Sequence, residues 1–189
     1  MTNLTLNDLK QICIEDQIPI IQEEALSFIL DLIEKEKIES ILEIGTAYGY
    51  SAICFSLKNT QVTTIEKDVF RAKMANSFIK DMKANVKLIV DDALNVNNLV
   101  GPYDLIFIDA AKSKYINYFE KFSKLLSPKG IIITDNMYFH NLTIENTNNR
   151  GTKSLLKKLE NYKDYLLTHK DFETQILNLG DGLAISKRK

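Results

Sequence analysis

A chain of 189 residues, 45 % hydrophobic and 26 % charged, can bury one sizeable core and has the make-up of an ordinary globular protein. Its net charge of −1 excludes a uniformly basic or acidic polymer, and no stretch approaches the roughly 18 consecutive apolar residues of a membrane span. The opening "MTNLTLNDLKQ" lacks the basic start and apolar middle of a secretion signal, so a single cytoplasmic domain over residues 1–189 is expected, with Cys13 and Cys54 as small, unbridged core residues.

In chain order, helices are expected at about residues 5–36, where Ala25, Leu26, Phe28, Ile29, Leu32 and Ile33 make one apolar stripe suited to core packing. Strand-like runs follow at "SILEIG" (40–45), "QVTTIE" (61–66), "VKLIVDD" (86–92), "YDLIFID" (103–109) and "GIIITDN" (130–136). Several are apolar on both faces, as strands of a covered parallel sheet must be. Residues 68–83 and 113–126 carry the spacing of three and four that marks helices between them. At the end, "FETQILNL" (172–179), Gly180-Asp181-Gly182 and "LAISKR" (183–188) predict a β-hairpin. The pattern reads as an α/β, doubly wound, mostly parallel sheet with a C-terminal antiparallel hairpin.

Such sheets bind ligands beyond the carboxyl ends of their strands. Four of the five strands end there on Glu66, Asp91-Asp92, Asp109 and Asp135-Asn136. Within "LEIGTAYGYSA" (42–52) a strand turns at Gly45 towards a helix, and Gly49 follows after three residues. That spacing is not the Gly-x-Gly-x-x-Gly of a dinucleotide site, and there is no Gly-Lys-Ser/Thr phosphate loop. Glu66 closes the next strand, where a carboxylate can accept hydrogen bonds from ribose hydroxyls. A ribose without a pyrophosphate fits S-adenosylmethionine. Asp109, Asp135 and Asn136 end the fourth and fifth strands, and three oxygen donors there suit Mg²⁺ or another hard divalent cation.

Taken together, "LEIGTAYGYSA", "TIEKD", "DDAL", "IFIDAAKSKY" and "IITDNMYF" resemble the cation-dependent O-methyltransferases of the catechol and caffeoyl-CoA type, over about residue 18 to the end. With "LGDGLAISKR" at its end, the chain is most similar to the bacterial tRNA 5-hydroxyuridine branch. The resemblance implies a class I, Rossmann-like methyltransferase fold and allows a homodimer. It implies that Glu43 and Gly45 form the cofactor turn and that Ser51 binds the methionine carboxylate. Ile18 would brush the cofactor, Glu66 would hold the ribose, and Asp92-Ala93 would meet the adenine. Asp109 would touch both cofactor and metal, and Lys112 would be catalytic beside it. Two departures from the family pattern stand out: "DDA" in place of Gly-Asp-Ala, and His140-Asn141 where a glycine is common.

The implied acceptor offers two neighbouring oxygens, as 5-hydroxyuridine of tRNA and small catechol-like phenols both do. From Lys112 onward there are 14 Lys/Arg against 8 Asp/Glu, compared with 10 against 17 before it. Residues 139–153 read as a polar loop near the site, with Arg150, Lys153, Lys157 and Lys158 available to phosphates and Tyr48, Tyr138 or Phe139 to a displaced base. Solvated surface charge and core packing account equally for these residues. Rival readings are a non-catalytic nucleoside-binding protein and an NAD-dependent oxidoreductase, the latter disfavoured by the glycine spacing.

Overall fold

The computed structural model describes residues 4–138 and 145–189. Two helices, α1 (Leu6–Glu15) and α2 (Glu23–Glu36), precede an alternation of β1 (Ser40–Ile44), α3 (Tyr50–Ser56), β2 (Gln61–Glu66), α4 (Val69–Asp81), β3 (Val86–Val90) and β4 (Tyr103–Ile108). Then come α5 (Tyr115–Phe122), β5 (Leu126–Thr134), α6 (Arg150–Leu167), β6 (Phe172–Leu177) and β7 (Leu183–Arg188). The seven strands form one sheet in the order β3-β2-β1-β4-β5-β7-β6. All pairs are parallel except β5–β7 and β6–β7, so the hairpin closes the sheet antiparallel as expected.

The apolar strands are buried on both sides. Leu105 and Phe107 of β4 pack with Ile29 and Ile33 of α2 and Phe55 of α3, while Ile106 and Ile108 pack with Phe119 of α5 and Leu159 and Tyr162 of α6. Leu9 and Cys13 of α1 join Ile53 of α3 and Phe78 of α4 in a third cluster. Both cysteines are free and buried. The α1 start is fixed by a capping box between Thr5 and Asp8, and α4 by Asp68, whose Oδ1 accepts the Phe70 and Arg71 N–H groups at 2.9 Å.

Boundaries depart from expectation in several places; β3 stops at Val90, and α6 begins at Arg150, inside the expected loop 139–153. The helix expected over 113–126 is only α5, flanked by single 3₁₀ turns at Lys112–Lys114 and Ser123–Leu125. Strand β5 begins at Leu126, ahead of the expected residue 130, because Leu126 pairs with Tyr103 across a register shift. The hairpin connection runs from residue 178 to 182, because Leu177 is already opposite Leu183. No helix among the described residues is long and apolar enough to cross a membrane.

Candidate functional site

The strand order reverses between β1 and β4, and the ends of β1, β4 and β5 lie side by side. The ladder runs one residue past each strand: Gly45 N–H donates to Ile65 O, Asp109 N–H to Ile44 O and Asp135 N–H to Ile108 O, each at 3.0 Å. Three residues distant in sequence are thereby fixed in one row. A cleft of about 520 Å³ opens above it. Its walls include Gly45, Ser51, Glu66, Ala93, Asp109, Lys112, Asp135 and Asn136, all singled out from the sequence. Pro19–Gln22, Arg71, Tyr118 and Asp181 also line it, and sequence reasoning had given none of them a role.

Three expected site residues are not among those walls. Glu43 is fully buried beneath the floor, where its carboxylate accepts the hydroxyls of Ser51 (2.5 Å) and Thr64. It therefore orients Ser51 and does not face the cleft itself. Asp92 Oδ1 accepts the Leu94 N–H at 2.9 Å, its neighbours Asp91 and Ala93 line the cleft, and its charge acts on Tyr118, which lines the cleft too. Ile18 packs against the α1–α4 cluster, and the cleft wall is made by the residues that follow it.

Backbone shape at the first turn explains the glycines. Gly45 has φ +98°, and a Cβ there would lie 1.9 Å from the Asp109 carbonyl oxygen, so only glycine lets β1 and β4 end this close together. Gly49, at φ +89°, caps α3. Between them the Ala47 N–H donates to Glu66 Oε2 at 2.8 Å, and the Asp68 N–H donates to Oε1 at 2.9 Å. Glu66 is thus held at the cleft with acceptor capacity left over, since each carboxylate oxygen has two lone pairs.

At the other end, Asp135 is 3 % exposed and its Oδ1 accepts the Asn136 N–H at 2.7 Å. Asn136 adopts φ +63°, a conformation asparagine tolerates, and its Nδ2 donates to Asp109 Oδ1 at 3.3 Å. Burial and the charge of Asp109 push the Asp135 carboxyl up to about 7. Burial raises Asp109 too; Lys112 opposes the shift and Asp181 adds to it. Two carboxylates forced together out of water, with an amide oxygen donor adjacent, fit a hard divalent cation that would relieve their repulsion. Among the described residues no three His, Cys, Asp or Glu side chains converge on a metal position.

In the sequence Asp181 reads only as turn punctuation. The Met137 N–H donates to Gly182 O (3.0 Å) and the Tyr138 N–H to Asp181 O (2.6 Å), tying the hairpin to the residues after Asn136. The Tyr138 ring lies against Gly182 and under Lys163, whose Nζ is 4.4 Å from its centroid. Tyr48 is 3 % exposed, donates to Asp16 Oδ2 and packs against Phe78. Tyr48 lines the cleft with its hydroxyl held by Asp16, and Lys163 covers the Tyr138 ring. Phe139, His140 and Asn141 lie outside the described residues. Arg150, Lys153, Lys157 and Lys158 are exposed on the first turns of α6.

The fully buried Glu43 has a testable consequence. Desolvation, with added repulsion from Asp109 and Glu66, lifts it from 4.5 to about 7. The folded protein then holds a proton that the unfolded chain has released, so the contribution is present below pH 4.5 and is lost as pH rises through 7. Glu43→Gln is expected to flatten the fall in ligand-free melting temperature between pH 5 and 7.5. Parallel wild-type and variant curves by circular dichroism would refute this.

Comparison with known proteins is consistent with this geometry. The O-methyltransferase family model matches residues 2–189. A catechol O-methyltransferase of Niastella koreensis is 34 % identical over 109 residues, 52 % of this chain and 49 % of that protein, so the match spans about half of that relative's length. Among solved structures, a candidate caffeoyl-CoA O-methyltransferase of Staphylococcus aureus is 34 % identical with a TM-score of 0.92, over 99 % of this chain and 93 % of that one. An O-methyltransferase of Bacillus cereus bound to S-adenosylhomocysteine is 25 % identical with a TM-score of 0.84, over 97 % and 90 %.

Proposed function

Because this chain belongs to the O-methyltransferase family, we propose that it moves a methyl group from S-adenosylmethionine to a hydroxyl held over Asp109, Asp135 and Asn136. The observation that carries the reading is the row of strand ends, which sets Glu66, Gly45, Asp109 and Asp135-Asn136 along one cleft. The solved Bacillus cereus relative binds the demethylated form of that cofactor.

In this reading Glu66 accepts the ribose hydroxyls, Ser51, steadied by Glu43, meets the methionine carboxylate, and Ala93 packs at the adenine. Asp109, Asp135 and Asn136 would hold a divalent cation, which supplies a Lewis acid that lowers the pKa of an acceptor hydroxyl near roughly 10. The Lys112 ammonium lies close enough to Asp109 and Asp135 to act on both electrostatically. As the ammonium it would stabilise the acceptor oxyanion; to take up the hydroxyl proton it would have to enter the step as the neutral amine. With donor and acceptor fixed in one cleft, proximity contributes much of the acceleration.

For the acceptor we take 5-hydroxyuridine at the tRNA wobble position, methylated to 5-methoxyuridine. O5 and the adjacent O4 form a chelating pair, and four exposed cations at the start of α6 can meet phosphates. A small catechol is the second reading, favoured by what the Niastella and Staphylococcus relatives are described as acting on. With cofactor and Mg²⁺, the purified protein is expected to convert hypomodified tRNA carrying 5-hydroxyuridine, read by nucleoside mass spectrometry. Affinity should fall steeply with salt, and Arg150→Ala or Lys153→Ala should raise KM for tRNA more than for the cofactor. Efficient methylation of free catechol with such tRNA untouched at low salt would establish the small-phenol reading instead.

A further inference from the structure

The outer face of α4 and the turn after it carry charge that the cleft chemistry does not use. Residues 67–87 contain six cations, Lys67, Arg71, Lys73, Lys80, Lys83 and Lys87, against Asp68 and Asp81, a balance of +4 in a chain whose net charge is −1. Asp68 is committed to capping α4. The ion pairs among the described residues join Lys10 to Glu23, Lys58 to Glu34 and Lys187 to Glu36, so none of the six cations is held in one. Ala72, Ala75, Phe78 and Ile79 face the core, which turns Val69, Lys73, Ser77 and Lys80 outward along one ridge at helical spacing. Lys73 and Lys80 stand about 10 Å apart on that ridge, and exposed Lys83 extends the line beyond the helix.

Apolar side chains are exposed at the end of the ridge nearest the cleft. Val69 is 73 % exposed, Phe70 64 % and Val90 52 %. Val90 is in register with Glu66, and Val69 and Phe70 open α4 just after it, so the three gather round the end of β2. Lys67 and Arg71 beside them line the cleft. Exposed apolar residues need no explanation when scattered but mark a contact when they gather. A line of cations suits a chain of phosphates, and an exposed aromatic ring suits an unstacked base; single-stranded RNA presents both. An anionic membrane calls for apolar residues along the whole helix, whereas here they are confined to one end. A second copy meeting the same face would set like charge against like. The ends of β2 and β5 are three strand spacings apart, about 14 Å, so a strand with one nucleotide over Asp109, Asp135 and Asn136 can reach α4 with its neighbours. We propose that the outer face of α4 is an RNA-docking surface, on which Phe70 stacks a base flanking the modified nucleotide in a single-stranded loop while Lys73, Lys80 and Lys83 follow the phosphates; it rests on the tRNA reading above.

The test is fluorescence anisotropy with a labelled anticodon stem–loop RNA over a range of salt. Lys73→Glu/Lys80→Glu should bind at least tenfold more weakly at low salt and should shallow the slope of log affinity against log salt by roughly one to two. Phe70→Ala should lose about fivefold with the slope unchanged, because stacking involves no counterion release. Both variants should keep the wild-type melting temperature and S-adenosylhomocysteine affinity, since these side chains are exposed and none of them lines the cleft. Lys35→Glu/Lys129→Glu, the same charge change at exposed positions by the opposite edge of the sheet, should lose less than threefold. RNA affinity within twofold of wild type in either α4 variant, or an equal loss in the Lys35/Lys129 control, overturns the proposal. So does a Phe70→Ala protein that binds RNA normally but loses binding to phosphatidylserine vesicles, or that splits a dimer in sedimentation; the face then belongs to a membrane or to a second copy. Wild type that binds no RNA at low salt overturns the tRNA reading itself, and this is seen before any variant is compared.

Discussion

Gly45→Ala is expected to abolish cofactor binding and to lower the melting temperature by on the order of 10 °C. Two penalties coincide at this residue. The backbone sits at φ +98°, where a side chain costs about 1–2 kcal/mol. The added Cβ would also lie 1.9 Å from the Asp109 carbonyl oxygen and 2.9 Å from its carbon, and backbone cannot yield as a flexible side chain would. Overpacking of this kind costs about 1–3 kcal/mol, and a domain this size loses about 2–4 °C per kcal/mol. Relief comes only by moving the end of β4, which carries Asp109. Gly49→Ala is the control: its φ is also positive, at +89°, but its nearest Cβ contact is an ordinary 3.5 Å to Ala75. That variant should show the backbone strain without displacing the site. A Gly45→Ala protein that melts and binds S-adenosylhomocysteine like wild type would show that the approach of β1 to β4 is not needed.

The difference between these two glycines was not legible in the sequence, where both read simply as turn residues. What was legible followed from one-dimensional pattern. Doubly apolar runs identified five parallel strands, and polar residues at their ends marked the functional edge, because in a parallel sheet every such end points the same way. Gly45, Asp109 and Asp135 could be placed together on that argument alone. Depth could not. Glu43 is in register with Thr64 and so shares a face with Glu66, yet Glu43 stops one residue short of the end of β1 and is submerged, while Glu66 is the last residue of β2 and reaches the cleft. Asp91 and Asp92 are adjacent and each takes a local backbone bond, Asp91 from the Asp92 N–H and Asp92 from the Leu94 N–H, which periodicity does not reveal. Tyr118 fits the apolar spacing of α5, so its hydroxyl was invisible to a periodicity argument. Asp181 was absorbed by a Gly-Asp-Gly turn signal, although both flanking glycines have positive φ and the hairpin is tied to the residues after Asn136.

The paired carboxylates lead to the other large effect, in which activity and stability should move in opposite directions. Asp135→Asn should reduce Mg²⁺-stimulated methyl transfer by about a hundredfold or more, because one of two anionic donors is lost from the cation position. Cofactor affinity should survive, since Asp135 lies at the opposite end of the cleft from Glu66. Asp109→Ala should impair both, as Asp109 also adjoins Gly45. The ligand-free Asp135→Asn protein should nevertheless be more stable than wild type. In the wild type burial and Asp109 raise the Asp135 carboxyl from 3.8 to about 7, so its contribution to stability is present below pH 4 and is lost as pH rises through 7. The neutral amide removes that loss, and the gain in melting temperature should be absent near pH 4 and largest at pH 8. Saturating Mg²⁺ should narrow the gap by stabilising only the wild type, through preferential binding to the folded state. Full activity of the wild type in EDTA would refute the cation reading. A ligand-free Asp135→Asn protein that melts below wild type at pH 8 would show that the buried pair stabilises the fold and is not held in repulsion for a ligand.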